Sequence, residues 1–220
     1  YLIRFNHSLA NMSAQQFVEM LYQQLQVKHL IVGDDFCFGK NRQGNFDYLL
    51  KAGEAHGFSV QRSNSFLIDK ERVSSTLLRS ALENGKLNKA AIYLGRQFSL
   101  SGRVMHGYKR GRELGFPTAN IRVKNRKSPL SGVFAVTITL ESGLAYEGVA
   151  NVGTRPSIEE TSAVLLEAHL FDFSGDLYGQ RVKVGFYKKL REEEKFDGLE
   201  QLKQQIAVDS QQAKTYFNET

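Results

Sequence analysis

The chain has 220 residues, 41% hydrophobic and 24% charged, with a net charge of +6, a balance that supports one or two domains around a sizeable core. No apolar run approaches the roughly 20 residues that span a bilayer, and Asn6, His7 and Ser8 interrupt any apolar stretch after Leu2-Ile3 that could form a signal peptide. The single cysteine, Cys37, excludes an internal disulfide and a Cys-rich zinc site, while the basic balance suits an anionic ligand without choosing among nucleotide, flavin phosphate and nucleic acid.

Taken in chain order, the first part reads as α/β. Ser13 to Leu25 has helical spacing, with Phe17, Val18, Leu21 and Leu25 on one side and Ser13 placed to cap it. The apolar run His29 to Val32, ended by Gly33, predicts a buried parallel strand. Phe46 to His56 is a predicted helix and Phe58 to Gln61 an extended segment, so helix, strand, helix and strand imply a parallel sheet with helices against it. The segment GDDFCFGKN, Gly33 to Asn41, is one residue too long for a Walker A loop and lacks the Ser/Thr after lysine. Ser75 to Glu83 and Leu87 to Leu94 are two short helices, with Asn84-Gly85 as the stop between them.

Near Gly95 the pattern changes. Strands are predicted at Phe98 to Val104, Val133 to Leu140, Ala145 to Val152, Val164 to Phe173 and Arg181 to Leu190, with Val133, Ala135, Thr137 and Thr139 alternating against Phe134, Val136, Ile138 and Leu140. Ser142-Gly143 marks a hairpin. Five or six such strands fit a small closed barrel. Gly198 to Phe217 has helical spacing at Leu199, Leu202, Ile206 and Ala213 and is expected on the barrel's outside.

The stretch from Gly102 to Asn120, GRVMHGYKRGRELGFPTAN, sets Gly102, Gly107 and Gly111 among Arg103, Lys109, Arg110 and Arg112. Glycines let a backbone present its N–H groups closely to a polyanion. Thr118 and Asn120 offer neutral oxygens of the kind a magnesium–phosphate site requires, aimed by the fixed backbone of Pro117. In LLEAHLFDF, strand alternation puts Glu167, His169 and Phe171 on one face. A carboxylate there can accept the proton of an alcohol attacking phosphorus, or it is an edge-strand glutamate facing water; His169 reads as structural. Asn151 and Arg155 in NVGTRPS either support a nucleotide or metal loop or belong to a turn built by Gly153 and Pro156. Arg191 and Glu194 in KLREEEKF read as part of a solvated charge run.

GFPTAN with an upstream GxVxxGxxxGR resembles the signature of riboflavin kinases, and SGVFAV, NVGTRPS, EAHLFDF and LYGQ extend the resemblance over residues 97 to 220. The chain departs from the family pattern only conservatively, with Phe134 for tyrosine and Ser157 for threonine. The resemblance implies an α+β chain ending in a six-stranded Greek-key β-barrel with an external helix. It implies transfer of the γ-phosphate of ATP to riboflavin, giving FMN, with Mg²⁺ as cofactor. By the same resemblance, Thr118 and Asn120 bind Mg²⁺ and phosphates, Gly102, Gly107, Gly111, Arg112 and Asn151 belong to the ATP site, Glu167 is the general base, and Arg191 and Glu194 lie on the flavin side.

Residues 1 to about 92 resemble the latter part of the FMN adenylyltransferase domain of bacterial bifunctional FAD synthetases, through VGDDFCFG and RVSSTLLR. That likeness puts Asp35 near flavin or nucleotide, and Arg72, Ser75, Thr76 and Arg79 near ATP phosphates. Ser75-Thr76 opens a helix whose free N–H groups favour an anion. No two of His7, His29, His56, His106 and His169 have the HxGH-type spacing of such domains, and the first strand of the Rossmann-like sheet is not found. The expectation is a partial Rossmann-like nucleotidyltransferase domain at 1–92, a linker at 93–97 and a kinase domain at 98–220, making FMN but no FAD and exposing a sheet edge or apolar face. Riboflavin, FMN, ATP and ADP are the expected partners, with neither nucleic acid nor membrane, in the cytoplasm. The rival is a non-catalytic basic barrel binding RNA or flavin. Arg122, Lys124, Arg126 and Lys127 favour it, but no exposed aromatic stacking pattern supports it, and it leaves Glu167 and GFPTAN unexplained.

Overall fold

Contacts within the computed structural model divide the chain into two units, Tyr1–Val73 and Ser74–Thr220. The structure describes residues 2–106, 116, 118–123, 128–155, 163–196 and 198–219, with 154, 155 and 163 described by backbone alone.

In the first unit Ser13 forms a capping box: its hydroxyl accepts from Gln16 N at 3.1 Å and its own N–H donates to Gln16 Oε1 at 2.9 Å. A short helix α1 (His7–Asn11) precedes this cap, and α2 (Ala14–Glu19) follows it, passing into a π-helical turn at Met20–Gln24. Strand β1 (His29–Gly33) pairs in parallel with β2 (Ser59–Ser63), His29 opposite Ser59. Between them runs α3 (Phe46–His56), capped by Asn45 and closed by Gly57 in the left-handed conformation. This is the expected β–α–β order. Ala14, Val18, Leu21, Val32, Phe38 and Leu49 form the buried core beneath it, while Ile31 on β1 is 66% exposed. A small hairpin, β3 (Leu67–Ile68) and β4 (Glu71–Arg72), was not foreseen. Its turn places Asp69 (φ 51°) and Lys70 (φ 67°) in the left-handed region. That is a mirror-image turn, usually announced by Asn-Gly or Asp-Gly.

The second unit opens with α4 (Ser75–Glu83), whose N-cap is Ser74, and α5 (Leu87–Leu94), with Gly85 at φ 67° between them. Helix α5 runs through Tyr93 and Leu94 to a left-handed Gly95. Strands β5 (Ser99–Met105), β6 (Thr118–Val123), β7 (Gly132–Leu140), β8 (Ala145–Arg155), β9 (Ala163–Leu170) and β10 (Arg181–Arg191) form a closed barrel in the order β10-β5-β6-β9-β8-β7. Every pairing in it is antiparallel. Strands β7, β8 and β9 are consecutive hairpin neighbours, while β6 lies beside β9, which is the Greek-key arrangement expected. In the sequence, the residues of β6 show only as the end of the glycine-rich stretch. The alternation read in β7 holds: Phe134, Val136 and Ile138 point inward and are fully buried, together with Val104, Leu166, Val152, Val184 and Phe186.

Gly148 is required where β8 meets β9. A Cβ there would overlap the carbonyl oxygen of His169 and lie 3.0 Å from Ile138 Cδ1. Neither backbone nor packed core yields cheaply, so Gly148→Ala should destabilise the chain by about 1–3 kcal/mol. A denaturation midpoint equal to the parent's would show that β8 can shift.

Helix α6 (Leu199–Asn218) packs on the outer face of β7, β8 and β10. Its Ala213 joins Ala135, Val149 and Phe171 in a second buried cluster.

Candidate active site

Directly paired residues of an antiparallel sheet point to the same face, with Cα atoms about 4.5–5.5 Å apart. This register assembles a row on the barrel's outer face. Asn120 on β6 is opposite Glu167 on β9, and Glu167 is opposite Asn151 on β8. One step along, Thr118 is opposite His169, and His169 opposite Val149. The inward neighbours Ile121, Leu166 and Val152 are at most 3% exposed and hold the three strands together from beneath. Thr118, Asn120, Glu167 and Asn151, drawn from three separate motifs, therefore share one patch. His169 meets Phe116 edge-on at 5.4 Å and Phe171 at 5.8 Å. These rings wall the patch on the side where Phe171 is covered by α6.

The patch offers oxygens: a hydroxyl, two amides and a carboxylate. Asn151 donates from Nδ2 to Glu193 Oε1 at 3.1 Å. Its Oδ1 is buried and has no hydrogen-bond partner among the described residues. Among those residues no group of three or more His, Cys, Asp or Glu side chains is placed to hold a metal. The oxygens present suit a hard cation that keeps waters and shares its shell with phosphates, since such an ion needs only one or two protein contacts.

Of the other expected residues, those that the structure describes lie elsewhere. Gly102 is within β5 on the inward face, where a Cβ would lie 2.6 Å from Ile121 Cγ2; its lack of a side chain lets β5 and β6 close. Gly107, Gly111 and Arg112 lie outside the described residues. Arg191 is directed at α6: Nε and Nη2 donate to Asp209 at 3.0 and 2.8 Å, and Gln205 also donates to that carboxylate. Glu194 is exposed. Its neighbour Glu193, which reaches Asn151, was missed, because a run of three glutamates carries no periodicity that separates one from the next.

The first unit holds a second polar cluster. Arg72 Nη2 lies 2.7 Å from Asp34 Oδ1 and 3.4 Å from Asp35 Oδ2. Ser65 also donates to Asp34. That hydroxyl is the main reason the Asp34 carboxyl lies below its usual range, against a desolvation cost that outweighs the separate pull of the Arg72 charge. No motif in the sequence marks Asp34 or Ser65 for this role. On α4, Ser75, Thr76 and Arg79 are all exposed around the first turn, and the capping hydroxyl belongs to Ser74, which accepts from Leu77 N at 3.2 Å.

A family model described as riboflavin kinase matches residues 94–217, and one described as FAD synthetase matches residues 1–77. The bifunctional riboflavin kinase/FMN adenylyltransferase of Haemophilus influenzae is 47% identical over 98% of this chain and 70% of its own length. The protein of the same name from Escherichia coli K12 is 42% identical over 99% of this chain and 70% of its own. Among solved structures, a Streptococcus pneumoniae protein described as a macrolide-efflux protein superposes with a TM-score of 0.78 at 30% identity, covering 95% of this chain and 67% of that one. Among the described residues, no helix is long and apolar enough to cross a membrane.

Proposed function

This chain belongs to the bifunctional riboflavin kinase/FMN adenylyltransferase family, and we propose that it phosphorylates riboflavin to FMN at the outer-face row of Asn120, Glu167 and Asn151, with ATP as phosphate donor. The observation that carries this reading is the register, which sets the candidate base directly between two amides. Glu167 accepts the proton of the primary hydroxyl as its oxygen bonds to the γ-phosphorus. The bond from that phosphorus to the bridging oxygen breaks, leaving ADP, FMN and a protonated Glu167. Catalysis is otherwise positioning and charge stabilisation. Thr118 and Asn120, two residues apart on β6 and so on one face, would hold Mg²⁺. When bound, the ion would neutralise charge on the transferring phosphates. Asp35 and Arg72 of the first unit are assigned to the adenylyltransferase part of the family, and FAD is not among the products proposed for this chain.

Thr118→Ala and Asn120→Ala should each raise the Mg²⁺ concentration needed for half-maximal turnover. Thr118→Ser should be milder because it keeps the hydroxyl. The test is FMN formation titrated with Mg²⁺ at fixed ATP and riboflavin. Unchanged metal dependence in both alanine variants would place the ion elsewhere.

A further inference from the structure

Glu193 stands one residue from the position expected on the flavin side, and it does something specific. Its carboxylate accepts from Asn151 Nδ2 at 3.1 Å and rests against Gly153, where an added Cβ would lie 2.9 Å from Glu193 Cδ. An ionised carboxylate has no proton to donate. It therefore takes only the nitrogen end of the amide and fixes which way round Asn151 lies. The oxygen end is then the buried atom without a hydrogen-bond partner among the described residues. Leaving an acceptor buried and unpaired costs free energy, so such a group calls for a donor, whether from water or from a bound molecule. Asn151 is paired directly with Glu167 and is separated from Asn120 by that strand, so its amide neighbours the base that acts on the alcohol.

We infer that Glu193 is a positioning residue, which locks the Asn151 amide so that Oδ1 accepts a hydroxyl of the polyol chain of riboflavin. The inference rests on the kinase reading of this face. Gly153 is the contact that lets the carboxylate sit there, since any larger side chain would push it away. Its backbone is not in the left-handed region, so alanine adds no backbone strain there and only the Glu193 side chain must move.

The test is a double-mutant cycle with steady-state kinetics for both substrates. Asn151→Ala and Glu193→Ala should each lower kcat/KM for riboflavin about 10- to 100-fold, with KM for ATP and the Mg²⁺ midpoint within about twofold of the parent. The double variant should be no worse than Asn151→Ala, because Glu193 acts only through the amide. Gly153→Ala should reproduce the Glu193→Ala loss by displacing an intact carboxylate. Glu193→Gln should keep only part of the turnover, since its amide can donate as well as accept and no longer fixes which way round Asn151 lies. If Glu193→Ala does not fold, the Gly153→Ala and Glu193→Gln variants carry the comparison. Additive losses in the double variant would overturn the inference, as would a shift confined to the Mg²⁺ midpoint. Parent-like kinetics in Asn151→Ala and Glu193→Ala, alongside an inactive Glu167→Gln, would overturn this inference alone. A fully active Glu167→Gln would overturn the kinase reading of the row itself.

Discussion

Glu167→Gln should lower riboflavin phosphorylation by about 10²- to 10⁴-fold while ATP still binds. The substitution keeps the shape of the side chain and its place in the row between Asn120 and Asn151. It removes the carboxylate that takes up the proton of the attacking hydroxyl. The loss corresponds to about 3 to 5 kcal/mol of barrier. ATP binding survives because the carboxylate acts on the alcohol and not on the nucleotide. The measurement is single-turnover FMN formation at saturating substrates, with ATP binding followed separately. Turnover within about threefold of the parent would mean that the base lies elsewhere.

Asp209→Ala should be the most destabilising single change among the ion pairs described. Asp209 is 4% exposed at its side chain and Arg191 17%. The guanidinium is held by two of its nitrogens on that carboxylate. Truncating one partner leaves the other charge buried without compensation, which costs about 3 kcal/mol, the low end of the usual range because Arg191 keeps some contact with water. For a unit of this size the melting temperature should fall by roughly 6–12 °C. Asp209 fastens α6 across β10, and Ala213 of that helix covers Phe171 beside His169. Loosening it should therefore disturb the wall of the patch as well as the fold. Replacing both members by apolar residues of similar volume should recover most of the stability. A melting temperature within about 2 °C of the parent in Asp209→Ala would show the pair to be solvated.

Much of this was legible in the sequence, and the parts that were not have physical reasons. The barrel announced itself because β7 alternates cleanly and its inward residues are large and apolar. The first unit's β–α–β order was legible from the apolar run at His29 and the helical spacing after Phe46. Strand β6 was obscured because Thr118 and Asn120 read as ligands on a loop. They are strand residues, and the strand is what aligns them with Glu167. Glu193 was hidden because its role depends on a partner 42 residues away, which no local pattern encodes. The orientation of Arg191 toward Asp209 was hidden for the same reason: a charge run on paper does not show which cation turns toward a helix. Motifs named the candidates Thr118, Asn120, Glu167 and Asn151, and only the antiparallel register showed that they are neighbours.

The most direct measurement is incubation of the purified chain with riboflavin, ATP and Mg²⁺, followed by chromatographic separation of the flavins. FMN should appear in step with ADP and stop when Mg²⁺ is chelated. ATP consumed without FMN, or riboflavin recovered unchanged from a folded chain, would contradict a riboflavin kinase site on this barrel.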